Sequence, residues 1–289
     1  MSIYNSDTLF KLNDQVAVIT GGGTGIGASI ARGFIENGAK RVYIVGRRLE
    51  KLVEKADELN KLEFDGEVVP VQGDVSSRET VDLLVQYFKG REESIDILVN
   101  NAGFGQETRE EHAPPIAENA SEAEKLSHRL YYNNFAEWSD HFSINVTGPY
   151  FLAAGLVPLL AKAAEKGDGQ GNIINVSSIA GLHITTKNSA PYQSSKAGLL
   201  IVSQVLANRL DGSNIRVNTI SPGLMRTEMG QDLINRFPEL TESVPVGFVA
   251  EKEQIVGLAL YLASKAGKYT HGANHIIDGG RLLRIPTTY

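Results

Sequence analysis

Short apolar runs rich in β-branched residues alternate along the chain with longer stretches whose apolar residues recur at helical spacing. The short runs Gln15–Thr20, Arg41–Gly46, Val68–Gln72, Ile95–Val99, Asn172–Val176, Ile215–Ile220 and His275–Asp278 predict strands. The longer stretches predict helices over Ile26–Asn37, Leu49–Leu62, Arg78–Lys89, Phe135–Glu165, Ala190–Leu210 and Glu251–Ser264. Gly38 stands where a helix C-terminal glycine belongs. Strands that are apolar on both faces and separated by helices call for a parallel sheet covered on both sides. The right-handed crossover rule then favours an α/β doubly wound sheet of about seven strands. No shift in composition marks a linker, so residues 1–289 read as a single domain. Two segments break the alternation: an acidic insert, 104–134, with Pro114-Pro115, and a stretch at 225–249. Long excursions of this kind serve as lids and binding loops or as surface decoration. The second is expected to be a substrate-binding loop.

Composition removes several classes of function. With 28 basic and 34 acidic residues the net charge is −6, which lacks the basic footprint of a nucleic-acid binder. There are no cysteines, so disulfides, thiol nucleophiles and cysteine-based metal sites are excluded. The six histidines have no acidic partners at ligand spacing, and no metal is expected. The N-terminus has no basic start followed by an apolar core, which argues for a cytoplasmic protein. Phe142–Ala161 carries no formal charge, but Asn145, Pro149 and Pro158 favour a buried core helix over a membrane span.

The turn Thr20-Gly-Gly-Gly-Thr-Gly-Ile-Gly27 lies between the first strand and the first helix. Glycines there let the backbone approach a pyrophosphate, and the helix start offers unpaired N–H groups to an anion. A tight strand–helix turn needs glycine in any case, but the position at the head of a βαβ unit matches a Rossmann-type dinucleotide site. An NAD site usually places an acid at the end of the second strand. Here Arg47-Arg48 stand there, two guanidinium groups suited to a 2′-phosphate, so NADP(H) is expected over NAD.

Tyr192 and Lys196 open one helix four residues apart and share a face. A free phenol titrates near ~10, and a neighbouring ammonium would ease its ionisation. Tyr-x-x-x-Lys alone says little, since any helix can carry it. Taken together, Thr20-Gly-x-x-x-Gly-Ile-Gly27, Asp74, Asn100-Asn-Ala-Gly103, Asn145, Ser178, Tyr192, Lys196 and Pro222-Gly223 with Thr227 resemble the short-chain dehydrogenase/reductase family, in the family's order, over about residues 14–280.

That resemblance implies hydride transfer between NADP(H) and a carbonyl or carbinol carbon. It implies that Tyr192 is the proton donor and that Ser178 orients the carbonyl oxygen. It also implies that Lys196 lowers the tyrosine and binds the nicotinamide ribose, and that Asn145 holds a relay water. For the coenzyme it implies Gly21, Gly23, Thr24, Gly25, Ile26 and Gly27 at the pyrophosphate, with Arg47 and Arg48 at the 2′-phosphate. Asp74 and Val75 would flank adenine. Asn101, Ala102 and Gly103 would line the ribose, and Pro222, Gly223 and Thr227 the nicotinamide end, beside Tyr192 and Lys196. The segment Asp278-Gly-Gly280 resembles one found near subunit contacts, so a homodimer or homotetramer is expected. The insert around Ala120-Ser-Glu-Ala, with Asn134 and Trp138, resembles a mostly fungal subgroup related to bacterial β-ketoacyl reductases. A medium-sized apolar or polyketide-like ketone and a 3-oxoacyl thioester are both compatible substrates. A coenzyme-binding scaffold with a sensing or non-redox role is a further alternative. Pro149, four residues after Asn145, is expected to bend the long helix.

Overall fold

In the computed structural model, residues 4–103, 105, 113–132, 134–185 and 188–284 are described. After a short turn of helix, α1 (Ser6–Leu9), the chain enters β1 (Val16–Thr20), in which all five residues are buried. Then follow α2 (Gly25–Glu36), β2 (Arg41–Gly46), α3 (Leu49–Asn60), β3 (Glu67–Gln72), α4 (Arg78–Arg91) and β4 (Ile97–Asn100). The second half contains α5 (Glu122–Tyr131), α6 (Phe135–Phe142), α7 (Gly148–Ala164), β5 (Asn172–Val176), α8 (Ala190–Arg209) and β6 (Arg216–Pro222). It closes with α9 (Glu228–Arg236), α10 (Glu253–Ala263) and β7 (Asn274–Ile277). All seven strands pair in parallel, in the order β3-β2-β1-β4-β5-β6-β7.

The two sheet faces explain the continuous apolar runs. Ala17 and Ile19 of β1 pack with Ile30, Phe34, Ile255 and Leu262 on one side. Their neighbours Val16 and Val18 pack with Leu84, Phe88, Leu156 and Leu160 on the other. Each face needs apolar residues at alternate positions, and covering both fills every position. The edge strand β7 instead alternates exposed and half-buried residues.

The predicted strands match to within two residues, and Gly38 ends α2 with φ +91°. Three segments show structure beyond the predicted elements. Residues 104–134 hold α5, whose capping box joins Ser121 and Glu124. Residues 225–249 hold α9, capped by the Thr227 hydroxyl on the Gly230 N–H. The long helix Phe135–Glu165 is divided by a π-turn at Ser143–Thr147. Pro149 has no N–H to return to the Asn145 carbonyl four residues back, so the α-helical ladder cannot continue there. Among the described residues Phe135–Ala164 is the one helical stretch long and apolar enough to cross a membrane. Half of its most apolar window is buried in the fold, where α7 packs on α4 and the sheet.

Candidate active site

Connections run away from β1 in opposite directions, to β2 on one side and β4 on the other, leaving a crevice at the strand ends. The two lips are stitched together. The Thr20 hydroxyl accepts the N–H groups of Asn101 and Ala102, each at 3.0 Å, and the Asn101 side-chain amide donates to the Thr20 carbonyl at 3.0 Å. Thr20 belongs to the glycine motif, but its clamping role has no local signal, because it depends on β4 lying beside β1.

Two glycines of the turn leave no room for a side chain. Gly21 has φ +66°, and a Cβ there would stand 2.8 Å from the Asn101 amide. A Cβ at Gly27 would stand 2.4 Å from the Gly21 carbonyl oxygen. Gly27 therefore packs beneath the turn rather than lining it.

The crevice is a cleft of about 470 Å³. Gly21, Gly23, Thr24, Gly25, Ile26, Arg47, Arg48, Asp74, Val75, Asn101, Ala102, Gly103, Tyr192, Lys196 and Thr227 line it. Pro222 and Gly223 do not; Gly223 packs so closely on Asp278 that a Cβ there would stand 2.7 Å from the aspartate Cα. Asn145, fully buried, and Ser178, half-buried and hydrogen-bonded to Tyr192, are not among the lining residues; Ser177, next to Ser178, is. Lys51, Ile144, Met229, Glu228 and Asp232 line the cleft as well, and sequence reasoning does not mark them as coenzyme contacts. The α9 acids sit four apart, on one helical face, a signal readable only once α9 is known to be a helix.

Tyr192 lies in the first turn of α8, half-buried, with Lys196 one turn on and 5 % exposed. Lys196 donates from Nζ to the Val176 carbonyl at 3.0 Å, and burial brings its ammonium down from 10.5 to about 8. Burial holds the Tyr192 phenol above its ordinary value, while a hydrogen bond with Ser178 pulls it down. The expected depression by Lys196 is not seen in the protein alone. Desolvation dominates, and the lysine spends its hydrogen bond on the end of β5 with its nitrogen 5.9 Å from the Tyr192 ring centroid.

Asn145, in the π-turn, donates to the Ser195 hydroxyl at 2.9 Å. Its Oδ1 is buried without a hydrogen-bond partner among the described residues. A Cβ on Gly103 would lie 2.8 Å from that oxygen and 3.2 Å from Lys196 Nζ, so only bare backbone at 103 fits beside these two groups. Beneath them, Asn100 donates to Asn175 at 2.9 Å and Asn175 to Ser203 at 2.8 Å, joining β4, β5 and α8 in one buried chain. A close-approach glycine cradle, two arginines at the β2 end and unpaired polar atoms at the Tyr192 end fit a phosphorylated dinucleotide. Among the described residues no three His, Asp or Glu side chains are grouped to hold a metal ion.

The sequence profile of the short chain dehydrogenases matches residues 15–236. Short-chain dehydrogenase/reductase PhomF of Diaporthe leptostromiformis is 33% identical, over 97% of this chain and 96% of that protein. The rhamnolipids biosynthesis 3-oxoacyl-[acyl-carrier-protein] reductase of Pseudomonas aeruginosa is 32% identical, over 94% and 97%. A solved Pseudomonas aeruginosa structure, an RhlG/NADP active-site complex, is 30% identical, with a TM-score of 0.77 over 94% of this chain and 98% of that one. The chain belongs to the short-chain dehydrogenase/reductase family and is an oxidoreductase of the carbonyl–alcohol type.

Proposed function

We propose that the protein is an NADPH-dependent reductase that converts a ketone to a secondary alcohol, with a medium-sized apolar or polyketide-like carbonyl compound as substrate. The observation that carries this reading is a cleft lined at one end by Tyr192 and Lys196 and at the other by Arg47 and Arg48, with Ser178 hydrogen-bonded to the Tyr192 phenol and Asn145 bonded to Ser195 of the same helix. The NADP complex of the Pseudomonas aeruginosa relative supports the coenzyme.

Arg47 and Arg48 bind the 2′-phosphate, and the turn from Gly21 to Ile26 receives the pyrophosphate on backbone N–H groups. When bound, the reduced nicotinamide supplies the hydride. Ser178 holds the substrate oxygen by a hydrogen bond, where negative charge develops. Tyr192 donates its phenolic proton to that oxygen. Lys196 holds the coenzyme ribose, and its buried positive charge stabilises the resulting phenolate. Asn145, with one amide oxygen left open, supports the path that restores the proton. Small-molecule turnover is joined, in this reading, to assembly as a homodimer or homotetramer; Phe151, Ile201 and Ile276 are exposed apolar residues on α7, α8 and β7.

The 3-oxoacyl reductase relative favours a second reading, a 3-oxoacyl thioester as substrate. Following NADPH absorbance with a panel of free ketones and one acetoacetyl thioester separates the two. Tyr192→Phe is expected to lower kcat by about a hundred-fold or more with NADPH binding retained, in line with the worth of a positioned proton donor. A Tyr192→Phe protein as active as the parent overturns the mechanism.

A further inference from the structure

Tyr192 sits where α8 is least able to hold itself. It occupies the first turn of the helix, whose N–H groups have no intrahelical partners. The N-cap residue, Ser189, makes no side-chain cap, and its buried hydroxyl has no partner among the described residues. A turn without a cap frays more readily, and a frayed turn would move the phenol. In the same turn the Gln193 side chain bonds the Thr185 backbone at 2.8 and 2.9 Å and the Asn188 carbonyl at 3.0 Å, and two further contacts link Tyr192 to α6 and the π-turn.

The first is His141, which is fully buried and lies one helical turn before Asn145. Its Nδ1 is 2.7 Å from the Glu137 carbonyl oxygen, which can only accept, so Nδ1 carries the proton and the ring plane is fixed. The imidazole meets the Tyr192 ring edge to face, with centroids 6.3 Å apart and planes at 71°. The second is Ser195, also fully buried. Its hydroxyl accepts from the Asn145 amide at 2.9 Å and donates to the Tyr192 backbone carbonyl at 2.9 Å. One contact packs against the Tyr192 ring, and the other ties its backbone to the π-turn.

We propose that His141 and Ser195 are positioning residues for Tyr192: beside the Gln193 bonds that tie the turn and the Ser178 bond to the phenol, they fix its aim from α6 and the π-turn. The inference rests on the reductase reading for its kinetic consequence, but not for its geometry. A group displaced by a fraction of an ångström can lose much of its rate while substrate and coenzyme still bind.

The test uses the full-length protein with His141→Leu, His141→Phe and Ser195→Ala. His141→Leu and Ser195→Ala are expected to lower kcat about ten-fold with the KM for NADPH unchanged. His141→Phe, which keeps an edge-to-face ring, is expected to recover most of the loss. A purely packing role would lower the melting temperature and leave kcat per folded molecule alone, and that result overturns the proposal. Should His141→Leu fail to fold, Ser195→Ala, which removes one atom, carries the kinetic test. Fluorine NMR of fluorotyrosine-labelled protein gives an arm that needs no turnover, with the Tyr192 resonance assigned by its loss in Tyr192→Phe. Ser195 bonds the Tyr192 backbone carbonyl, so a shifted or broadened Tyr192 signal in Ser195→Ala reports movement of the ring. An unchanged signal overturns the proposal even if wild-type protein reduces none of the carbonyls tried, an outcome that would sink the reductase reading separately.

Discussion

Replacing Lys196 by methionine removes a buried charge and keeps the length of the side chain. The ammonium is 5 % exposed, and burial brings it from 10.5 to about 8. At about 1.4 kcal/mol per pH unit, that difference is worth about 3 kcal/mol against the folded state while the lysine is charged. The variant also strands the Val176 carbonyl, which now accepts from Nζ at 3.0 Å, at a cost of about 1–3 kcal/mol. At neutral pH the two effects largely cancel, so a single stability measurement decides little; the pH dependence separates them. Below about pH 8 the lysine is protonated in both the folded and the unfolded chain, and the wild type carries the full burial cost. Between about 8 and 10.5 the unfolded chain binds more protons than the native one, so wild-type stability gains on the variant as pH rises. The stranded carbonyl does not titrate and adds only a constant. Denaturant unfolding of both coenzyme-free proteins from pH 7 to 10.5 is expected to show wild-type stability rising relative to Lys196→Met by about 3 kcal/mol. Titrations common to both proteins cancel in the difference. Parallel pH curves would refute the claim that burial of this ammonium is costly, and with it the idea that stability is given up here to place a charge beside Tyr192.

Arg47→Gln with Arg48→Gln is expected to weaken NADPH about ten-fold per arginine while leaving NADH almost unchanged, as measured by fluorescence titration. Equal losses for both coenzymes would contradict a 2′-phosphate site. Gly27→Ala is expected to lower the melting temperature and abolish coenzyme binding, since its Cβ would meet the Gly21 carbonyl oxygen at 2.4 Å. Gly23→Ala meets only a flexible leucine methyl, Leu52 Cδ2 at 3.2 Å, and is expected to fold almost normally in the same thermal melt.

Local signals of pattern and residue type are legible in the chain itself. Strands covered on both faces are apolar at most positions, and β1, β4 and β5 can be read for that reason, although Asn100, Asn172 and Asn175 are buried polar residues in β4 and β5. The glycine turn, the arginine pair and the Tyr192–Lys196 spacing are legible because each is a short-range requirement on residue type. The helix α5 also carries a local signal, since the capping box at Ser121 and Glu124 announces its start. The acidic, proline-containing stretch before it hides that signal. The division of Phe135–Glu165 is foreshadowed by Pro149 alone, and nothing local says that the break puts Asn145 against Ser195.

The sequence by itself determined which residue types stand at which places in the α/β alternation, because periodicity and turn chemistry act over a few residues. Only the tertiary structure decided the environment of each group. Desolvation and hydrogen bonding across elements depend on what packs alongside: burial raised Tyr192 where a lowered phenol was expected, Lys196 was drawn to the end of β5, and His141 was brought from another helix against the Tyr192 ring.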